Sequence, residues 1–276
     1  MATAFVLLVT STEHPEHTMH TLTSADGTTI AYERAGDGPA IVFATGAFND
    51  HTTCADLAAA LAGDRTVVTY DRRARGQSGD TAPYAVEREI EDLAALVDLV
   101  GGSAAVFGYS SGGNLALAAA AAGVPITHLA LYEAPFALGG LPARPAGLPE
   151  RLAALLANGQ PDDAVALFQT EGVGIPAAMV AQFRASPGWP SLVAIAQSTV
   201  YDATITSTLG VPTPAMAAVA VPTAVITGAE TWPGLPESAA ALAALLPHAR
   251  HVVVPGGANH GIPTEATAAV VRDLLA

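Results

Sequence analysis

Cysteine is nearly absent from this sequence, which contains only Cys54. A single cysteine excludes a disulfide bond within the chain and argues against a cysteine-based metal site. The histidines also lack the spacing, such as H-x-x-x-H near a carboxylate, that is typical of zinc sites. We therefore expect no metal and, since the sequence shows no nucleotide-binding loop, no cofactor. The scarcity of cysteine fits a reducing compartment, and we expect the protein to be cytoplasmic.

Basic residues are scarce as well, with 11 lysines and arginines against 25 acidic residues and a net charge of −14. Binding to phosphates needs clustered lysine and arginine, so we expect no nucleic-acid partner. Charged residues make up only 13% of the chain and hydrophobic residues 51%, which is the opposite of a disordered composition. A chain of 276 residues is long enough for one large α/β domain, with or without an inserted subdomain.

Long hydrophobic runs are also missing, since no segment approaches the ~20 apolar residues of a membrane-spanning helix. We therefore expect no membrane association. The apolar run at residues 4–10, AFVLLVT, is short for a signal-peptide core and has no basic residues before it. Residues 1–18 differ from the pattern that follows, and we predict that they form an N-terminal leader or tail outside the folded domain, with Met19 as the alternative start.

From His20 onward, strand-like and helix-like segments alternate. A hairpin with its turn at Asp26-Gly27 comes first, and apolar runs typical of buried parallel strands follow. The predicted strands lie at 40–46, 65–71, 103–110, 126–136, 224–228 and 251–257, and the predicted helices at 52–62, 87–100, 113–123, 237–246 and 265–276. This alternation predicts right-handed βαβ units and a parallel sheet with helices on both faces.

The alternation stops at residues 137–216, where short helices and proline-rich loops replace the strands. Helical patterns occupy 151–159 and 161–172, and no segment there is convincing as a strand. The sequence therefore predicts an α/β core made of residues 19–136 and 217–276. A helical insertion of about 80 residues interrupts the sheet late in the strand order.

A serine motif lies at residues 108–113, GYSSGG, and matches G-x-S-x-G with Ser110 at its centre. The pattern alone is weak, but a buried-strand run precedes it and a helix follows, which is the context of a nucleophile elbow. There the hydroxyl lies at a helix N-terminus, whose N–H groups favour developing negative charge. We predict Ser110 as the nucleophile. Ser111 lacks the glycine two residues before it, and we predict that its backbone N–H donates to an oxyanion.

A serine nucleophile needs an adjacent base. His260 lies in the glycine-rich loop PGGANHG, between the last strand and the last helix. Loops at the carboxyl ends of parallel strands meet at one edge of the sheet, where the Ser110 turn also opens. We predict His260 as the base, because His128, His248 and His251 are typical of strand or surface histidines.

Three motifs give the chain a family resemblance. They are GYSSG, the terminal GANHG and YDRRARGQSG at 70–79, and with them the chain resembles the α/β-hydrolase superfamily from about residue 20 to its end. More narrowly, it is similar to a bacterial branch with the motifs G-A-x-N-D and L-Y-E-x-P-F, here GAFND at 46–50 and LYEAPF at 131–136. The resemblance implies an eight-stranded, mostly parallel sheet with helices on both faces. It also implies a helical cap after the sixth strand, where the 137–216 insertion lies.

The oxyanion turn is the first departure from the family pattern. Many members carry His-Gly after the third strand, whereas this chain has Thr45-Gly46. The family's donor at this turn is a backbone N–H, so the histidine is not chemically required. We assign the N–H of Ala47 as the partner of Ser111, with Phe48 as the alternative.

The triad acid is the second departure. Many members place an aspartate about three residues past a glycine after the seventh strand, and this chain has Thr231 there. Some members place the acid after the sixth strand, which corresponds to Glu133. A glutamate at the end of a buried strand is costly without a partner, and His260 would be one. We predict Glu133 as the acid that orients the histidine, with Glu230, a water or an unassigned carboxylate as alternatives.

These residues predict a serine hydrolase that cleaves an ester, lactone, thioester or amide through an acyl-serine intermediate. The apolar, weakly charged insertion favours a hydrophobic small-molecule substrate. For the pocket wall we predict large side chains, with core packing as the alternative for each: Phe48, Tyr109, Phe136, Met179, Phe183, Trp189 and Tyr201.

Three other functions stay open on the sequence alone. The same triad could serve an acyltransferase or cyclase, a biosynthetic enzyme with non-hydrolytic chemistry, or a ligand-binding protein with little turnover. A homodimer is left open beside a monomer, since nothing in the sequence decides the assembly.

Overall fold

The computed structural model describes residues 18–276, so the predicted leader, apart from Thr18, lies outside the described residues. Eight strands form one sheet in the order β1-β2-β4-β3-β5-β6-β7-β8. They are β1 His20–Thr23, β2 Thr29–Ala35, β3 Ala40–Ala44, β4 Thr66–Tyr70, β5 Ala104–Tyr109, β6 Ile126–Tyr132, β7 Thr223–Gly228 and β8 Ala249–Val254. Strand β2 runs antiparallel to both of its neighbours, and the remaining neighbours in this described sheet pair in parallel.

Eleven α-helices accompany the strands in the described part of the chain. They are α1 Ala55–Leu61, α2 Val86–Leu99, α3 Ser111–Ala121, α4 Leu148–Ala157, α5 Pro161–Leu167, α6 Ala177–Arg184, α7 Trp189–Ala194, α8 Gln197–Thr208, α9 Pro214–Ala217, α10 Leu235–Leu245 and α11 Thr264–Leu274. A π-helix at Phe168–Val173 continues α5, and a short 3₁₀ turn occupies Ala258–His260. None of the described helices combines the length and apolar character that crossing a bilayer requires.

The core has two layers, one on each face of the sheet, because successive strand residues point to opposite faces. In β3, Val42 and Ala44 pack with apolar residues of α2, α3 and α10, whereas Ile41 and Phe43 pack with those of α1 and α11. Both faces of the central strands are therefore covered. This explains why the sequences of those strands are continuous apolar runs rather than alternating apolar and polar residues.

Helix α3 begins directly after β5 and is buried from Ser111 to Ala119. It contacts β5 and β6 of the sheet as well as α8. Its alanines leave little side chain between the helix and its neighbours, which permits this close packing on several sides. The start of α3 is consequently held between the sheet and the inserted helices.

The segment between β6 and β7 contains α4 to α9 and no strand. It forms its own apolar clusters and joins the core through α8, where Ile205 packs against Leu115 and Val86. We refer to α4–α9 as the cap. The cap follows the carboxyl end of β6, and the chain then returns to the amino end of β7, the parallel neighbour of β6 in the sheet.

Five of the predicted strands end earlier than the sequence pattern indicated, among them β5 and β6. Strand β5 stops at Tyr109 instead of residue 110, and β6 stops at Tyr132 instead of residue 136. The next residues, Ser110 and Glu133, have φ angles of 55° and 48°. A positive φ turns the backbone out of the extended conformation, so the apolar residues that follow Glu133 cannot continue the strand.

Candidate active site

Ser110 occupies a sharp turn between β5 and α3, with φ 55° and ψ −129°. Only glycine fits at the flanking positions 108 and 112, because the turn brings neighbouring backbone segments into contact. A Cβ on Gly108 would lie 2.6 Å from the Cα of Gly113, and a Cβ on Gly112 would lie 2.0 Å from the carbonyl oxygen of Ala44. The G-x-S-x-G pattern therefore has the steric origin expected of a nucleophile elbow.

His260 and Glu133 form a hydrogen-bonded pair, with 2.5 Å between Nδ1 and Oε2. The carboxylate is fully buried, and its other oxygen accepts a hydrogen bond of 2.9 Å from the backbone N–H of Gly228. Both carboxylate oxygens thus have partners, which a buried carboxylate needs. Because Nδ1 is held by Glu133, Nε2 is the ring nitrogen left to take a proton. The acid and the base predicted from the sequence are in contact.

Glu230, the alternative acid, is exposed in the loop after β7. Its backbone N–H donates to the carbonyl of Gly256, and no described side-chain contact joins it to His260. The neighbouring Thr231 stands where many family members carry the acid, and its buried hydroxyl has no hydrogen-bond partner in the described structure. The geometry therefore pairs His260 with Glu133 rather than with Glu230.

Two aromatic rings stack on the imidazole of His260. The ring centroids of Tyr109 and Trp232 each lie 4.9 Å from that of His260, with interplanar angles of 29° and 15°. The Tyr109 hydroxyl also donates to the His260 carbonyl, and the Tyr132 hydroxyl donates to the carbonyl of Gly261. Tyr109 was predicted to contact substrate, and the structure shows it supporting the base. Trp232 was missed, although its position next to Thr231 was a usable signal.

The turn after β3, predicted to supply an oxyanion donor, lies directly against Ser110. A Cβ on Gly46 would be 2.6 Å from the Cβ of Ser110 and 3.0 Å from its Oγ. This closeness places the peptide of Ala47 beside Ser110. Ser111 follows Ser110 directly in the chain and begins α3. Phe48 follows with a positive φ of 60°, so the chain turns sharply after Ala47. The two predicted backbone donors are therefore both adjacent to Ser110.

Positive φ values outside glycine concentrate at these positions. The described chain has six such residues, and four of them are Phe48, Ser110, Glu133 and His260. Each left-handed conformation of this kind costs about 1–3 kcal/mol and persists only when its surroundings enforce it. Such strain is typical of functional sites, so its distribution independently marks the site that the motifs predicted.

Three predicted wall residues are buried elsewhere, which corrects the sequence interpretation. Phe136 is fully buried in the core layer that contains α3 and α10. Trp189 is buried inside the cap, where its Nε1 donates to Asp162. Tyr201 stacks on Tyr84 with 3.8 Å between ring centroids. Aromatic character alone did not reveal that these side chains pack against core and cap neighbours.

The remaining wall candidates lie in the cap or face it. Phe48 packs edge-on against Phe168 of the π-helix, with 5.5 Å between centroids, and thus links the oxyanion turn to the cap. Phe183 packs edge-on against the buried Trp189, and Met179 is 41% exposed on α6. Phe48 is therefore the one candidate that the structure places both beside Ala47 and against the cap.

A cluster of buried charges lies beneath the predicted oxyanion turn, and its arginines belong to the YDRRARGQSG motif, although no motif indicated their partner in the cap. Arg72 and Arg75 follow β4, and both form ion pairs with Asp202 of the cap. Arg72 also pairs with Glu89 of α2. The side chains of this cluster are buried almost completely, with 0–2% of their surface exposed.

Among residues 18–276 there is no group of three His, Cys, Asp or Glu side chains that could hold a metal ion.

Comparison with known proteins agrees with this fold. The model of the alpha/beta hydrolase family matches residues 41–274, and the chain belongs to that family. An alpha/beta hydrolase from Sphaerobacter thermophilus is 45% identical, with a TM-score of 0.85 over 93% of this chain and 100% of that chain. The predicted fold class, an eight-stranded, mostly parallel α/β-hydrolase sheet, is thereby confirmed. No curated protein matches the sequence.

More distant structures share the fold. An esterase from Thermogutta terrifontis is 23% identical, with a TM-score of 0.70 over 94% of this chain and 98% of that chain. An enol-lactonase from Burkholderia xenovorans is also 23% identical, with a TM-score of 0.68 over 93% of this chain and 99% of that chain. At this level of identity the likeness is one of architecture.

Proposed function

We propose that this protein is a serine hydrolase that cleaves an ester, lactone or thioester of a hydrophobic small molecule. Ser110 is the nucleophile, His260 the general base and acid, and Glu133 the group that orients the histidine. The observation that carries the proposal is the buried hydrogen bond between Glu133 and His260, in a chain whose Ser110 sits on a strained turn at the same edge of the sheet.

The reaction follows from the positions of these groups. Ser110 Oγ attacks the acyl carbon while His260 Nε2 takes its proton, and Glu133 stabilises the imidazolium. The N–H groups of Ala47 and Ser111 donate to the carbonyl oxygen as it becomes negative, and one such donor is worth about 10²–10³ in rate. The imidazolium then protonates the leaving group. Water, deprotonated by His260, attacks the acyl-serine and releases the acid.

The preference for hydrophobic substrates is supported by the surroundings of the oxyanion turn. Ala47 and Phe48 pack with the cap cluster that includes Leu148, Leu152 and Phe168. An acyl group held at Ala47 would therefore meet apolar side chains. The esterase and the enol-lactonase that share the fold are compatible with an ester or a lactone as the substrate class.

A fluorophosphonate probe combined with a panel of p-nitrophenyl esters tests this function. We expect Ser110 to be labelled and short esters to be hydrolysed, with both signals abolished in Ser110→Ala. The exposed Ser103→Ala is the matched control, since Ser103 precedes β5 at the opposite end of that strand. Labelling of Ser110 without ester turnover would contradict the hydrolase and favour an acyltransferase or a binding protein.

A further inference from the structure

One carboxylate of the cap is bonded to three groups of the core. Asp202, in α8, is fully buried. Its Oδ1 accepts hydrogen bonds from Arg72 Nη1 at 2.8 Å and from Ser111 Oγ at 2.7 Å, and its Oδ2 accepts one from Arg75 Nη2 at 2.6 Å. Asp202 lies 91 residues from Ser111 in sequence, so only the folded cap brings them together.

The same two arginines hold the oxyanion turn. Arg72 Nη1 donates to the carbonyl of Thr45 at 3.0 Å, and Arg75 Nη1 donates to the carbonyl of Gly46 at 2.7 Å. The Gly46 carbonyl belongs to the same planar peptide unit as the N–H of Ala47, and in a trans peptide these two groups point in opposite directions. Arg75 therefore fixes the direction of the Ala47 N–H, and its charge polarises that peptide.

The second donor residue of the proposed oxyanion hole, Ser111, is bound to the same carboxylate. Ser111 provides the second backbone donor, and its side chain donates directly to Asp202. Asp202 is thus joined to one donor residue through a single hydrogen bond and to the other through Arg75. Its position sets the spacing between the two N–H groups that must converge on one oxygen.

The charges in this cluster are balanced, with Arg72 and Arg75 facing Asp202 and Glu89. Burial disfavours the charged form of Asp202, but the two arginines together with Ser111 hold its pKa below the usual value. Buried ion pairs contribute little net stability compared with apolar residues of the same size. Stability alone therefore does not account for a charged cluster at this point of the fold.

We propose that Asp202 is a positioning residue of the oxyanion hole, which makes the geometry of the Ala47 and Ser111 donors depend on the seating of the cap. This inference rests on the proposed function of the site. When α8 is in place, both donors are held. When α8 moves away, Arg75 and Ser111 lose their common partner, and the hole loses its support.

Asp202→Asn and Ser111→Ala test the proposal, with Asp92→Asn as the matched control. Asp92 is also a buried carboxylate that binds an arginine twice, but its partner is Arg73, which has no described hydrogen bond to the oxyanion turn. We expect kcat for p-nitrophenyl esters to fall about 30-fold in Asp202→Asn and several-fold in Ser111→Ala, with KM nearly unchanged, because oxyanion contacts act mainly in the transition state. Asp92→Asn should keep kcat within about twofold.

The double variant provides a second measure. If Ser111 acts through Asp202, the two substitutions will not be additive, and the double variant will be about as slow as Asp202→Asn alone. Should Asp202→Asn fail to fold, Ser111→Ala still tests the link, since it removes one hydrogen bond and no charge. Equal losses of kcat in Asp202→Asn and Asp92→Asn would overturn the proposal.

Amide hydrogen exchange supplies a readout that does not need turnover. Exchange in the peptide covering residues 45–50 should accelerate at least about fivefold in Asp202→Asn and remain unchanged in Asp92→Asn. Unchanged exchange in both variants would overturn the positioning role. If the wild-type protein hydrolyses no ester and yet shows the accelerated exchange, the proposed function fails while the link between cap and turn stands.

Discussion

Glu133 Oε1 accepts a hydrogen bond of 2.9 Å from the backbone N–H of Gly228, across the ends of β6 and β7. This bond holds the carboxylate in place, so that Oε2 faces Nδ1 of His260. The carboxylate that we propose as the acid is therefore fixed by a strand of the sheet. A triad acid after the sixth strand would be compatible with Thr231 at the usual position after the seventh strand.

Glu133→Gln should lower kcat about 10³- to 10⁴-fold, because an amide at this position favours the wrong histidine tautomer and does not stabilise the imidazolium. Ester hydrolysis by the purified variant measures the effect. Glu230→Gln is the control and should retain wild-type activity, since Glu230 is exposed and has no described contact with His260. A large loss in Glu230→Gln with an active Glu133→Gln would reverse the assignment of the acid.

Trp232→Ala should reduce kcat/KM about 2- to 10-fold, because a stacked aromatic pair is worth about 0.5–1.5 kcal/mol beyond the area it buries. Trp189→Phe changes the other tryptophan and should have little effect on activity. Steady-state hydrolysis of p-nitrophenyl esters by both variants measures the effect, and wild-type kcat/KM in Trp232→Ala would show that the stacked indole does not support His260.

Gly46→Ala should lower kcat by at least about 100-fold. The added methyl group would lie 2.6 Å from the Cβ of Ser110, so the nucleophile or the oxyanion turn must move. A displacement of about 1 Å is enough to cost this factor in rate. Gly63→Ala is the control, because a Cβ on Gly63 would meet no other atom within 4 Å, and full activity is expected. Wild-type turnover by Gly46→Ala would show that this close approach is not needed for catalysis.

His51 should make stability depend on pH. Its Nδ1 lies 2.8 Å from Oδ1 of Asp71, and this hydrogen bond raises the pKa of His51 although burial opposes the shift. A raised pKa in the folded state stabilises the fold fully below the unfolded value of about 6.5 and less as pH rises through the folded value. The destabilisation of His51→Gln, measured by urea unfolding, should therefore be larger at pH 5.5 than at pH 9. A larger effect at pH 9 would contradict this sign.

The sheet and the residues proposed for catalysis could be identified in the sequence because they depend on local patterns. Buried strands produce apolar runs, and the turns that follow them carry short motifs whose glycines have a steric reason. Ser110 and His260 could therefore be predicted from residues close to them in sequence. Glu133 needed one more argument, namely that a carboxylate after a buried strand requires a partner.

The cap contacts were not predictable in the same way. The pairing of Arg72 with Asp202 joins residues 130 positions apart, and no local pattern marks either residue as its partner. The aromatic wall candidates failed for a related reason, since residue type does not tell which side of a short helix faces solvent, core or pocket. Tyr201 illustrates this, because its ring stacks on Tyr84 and its hydroxyl donates to Asp80.

The cluster beneath the oxyanion turn limits how freely the cap could be exchanged between related proteins. A transplanted cap without a carboxylate at the position of Asp202 would leave Arg75 buried without a counter-ion and Arg72 with Glu89 as its remaining carboxylate partner. Burial of an uncompensated charge costs several kcal/mol. Redesign of substrate choice in this scaffold therefore has to preserve one acidic residue of α8, or replace Arg75 together with it, since Arg72 keeps Glu89 as its counter-ion.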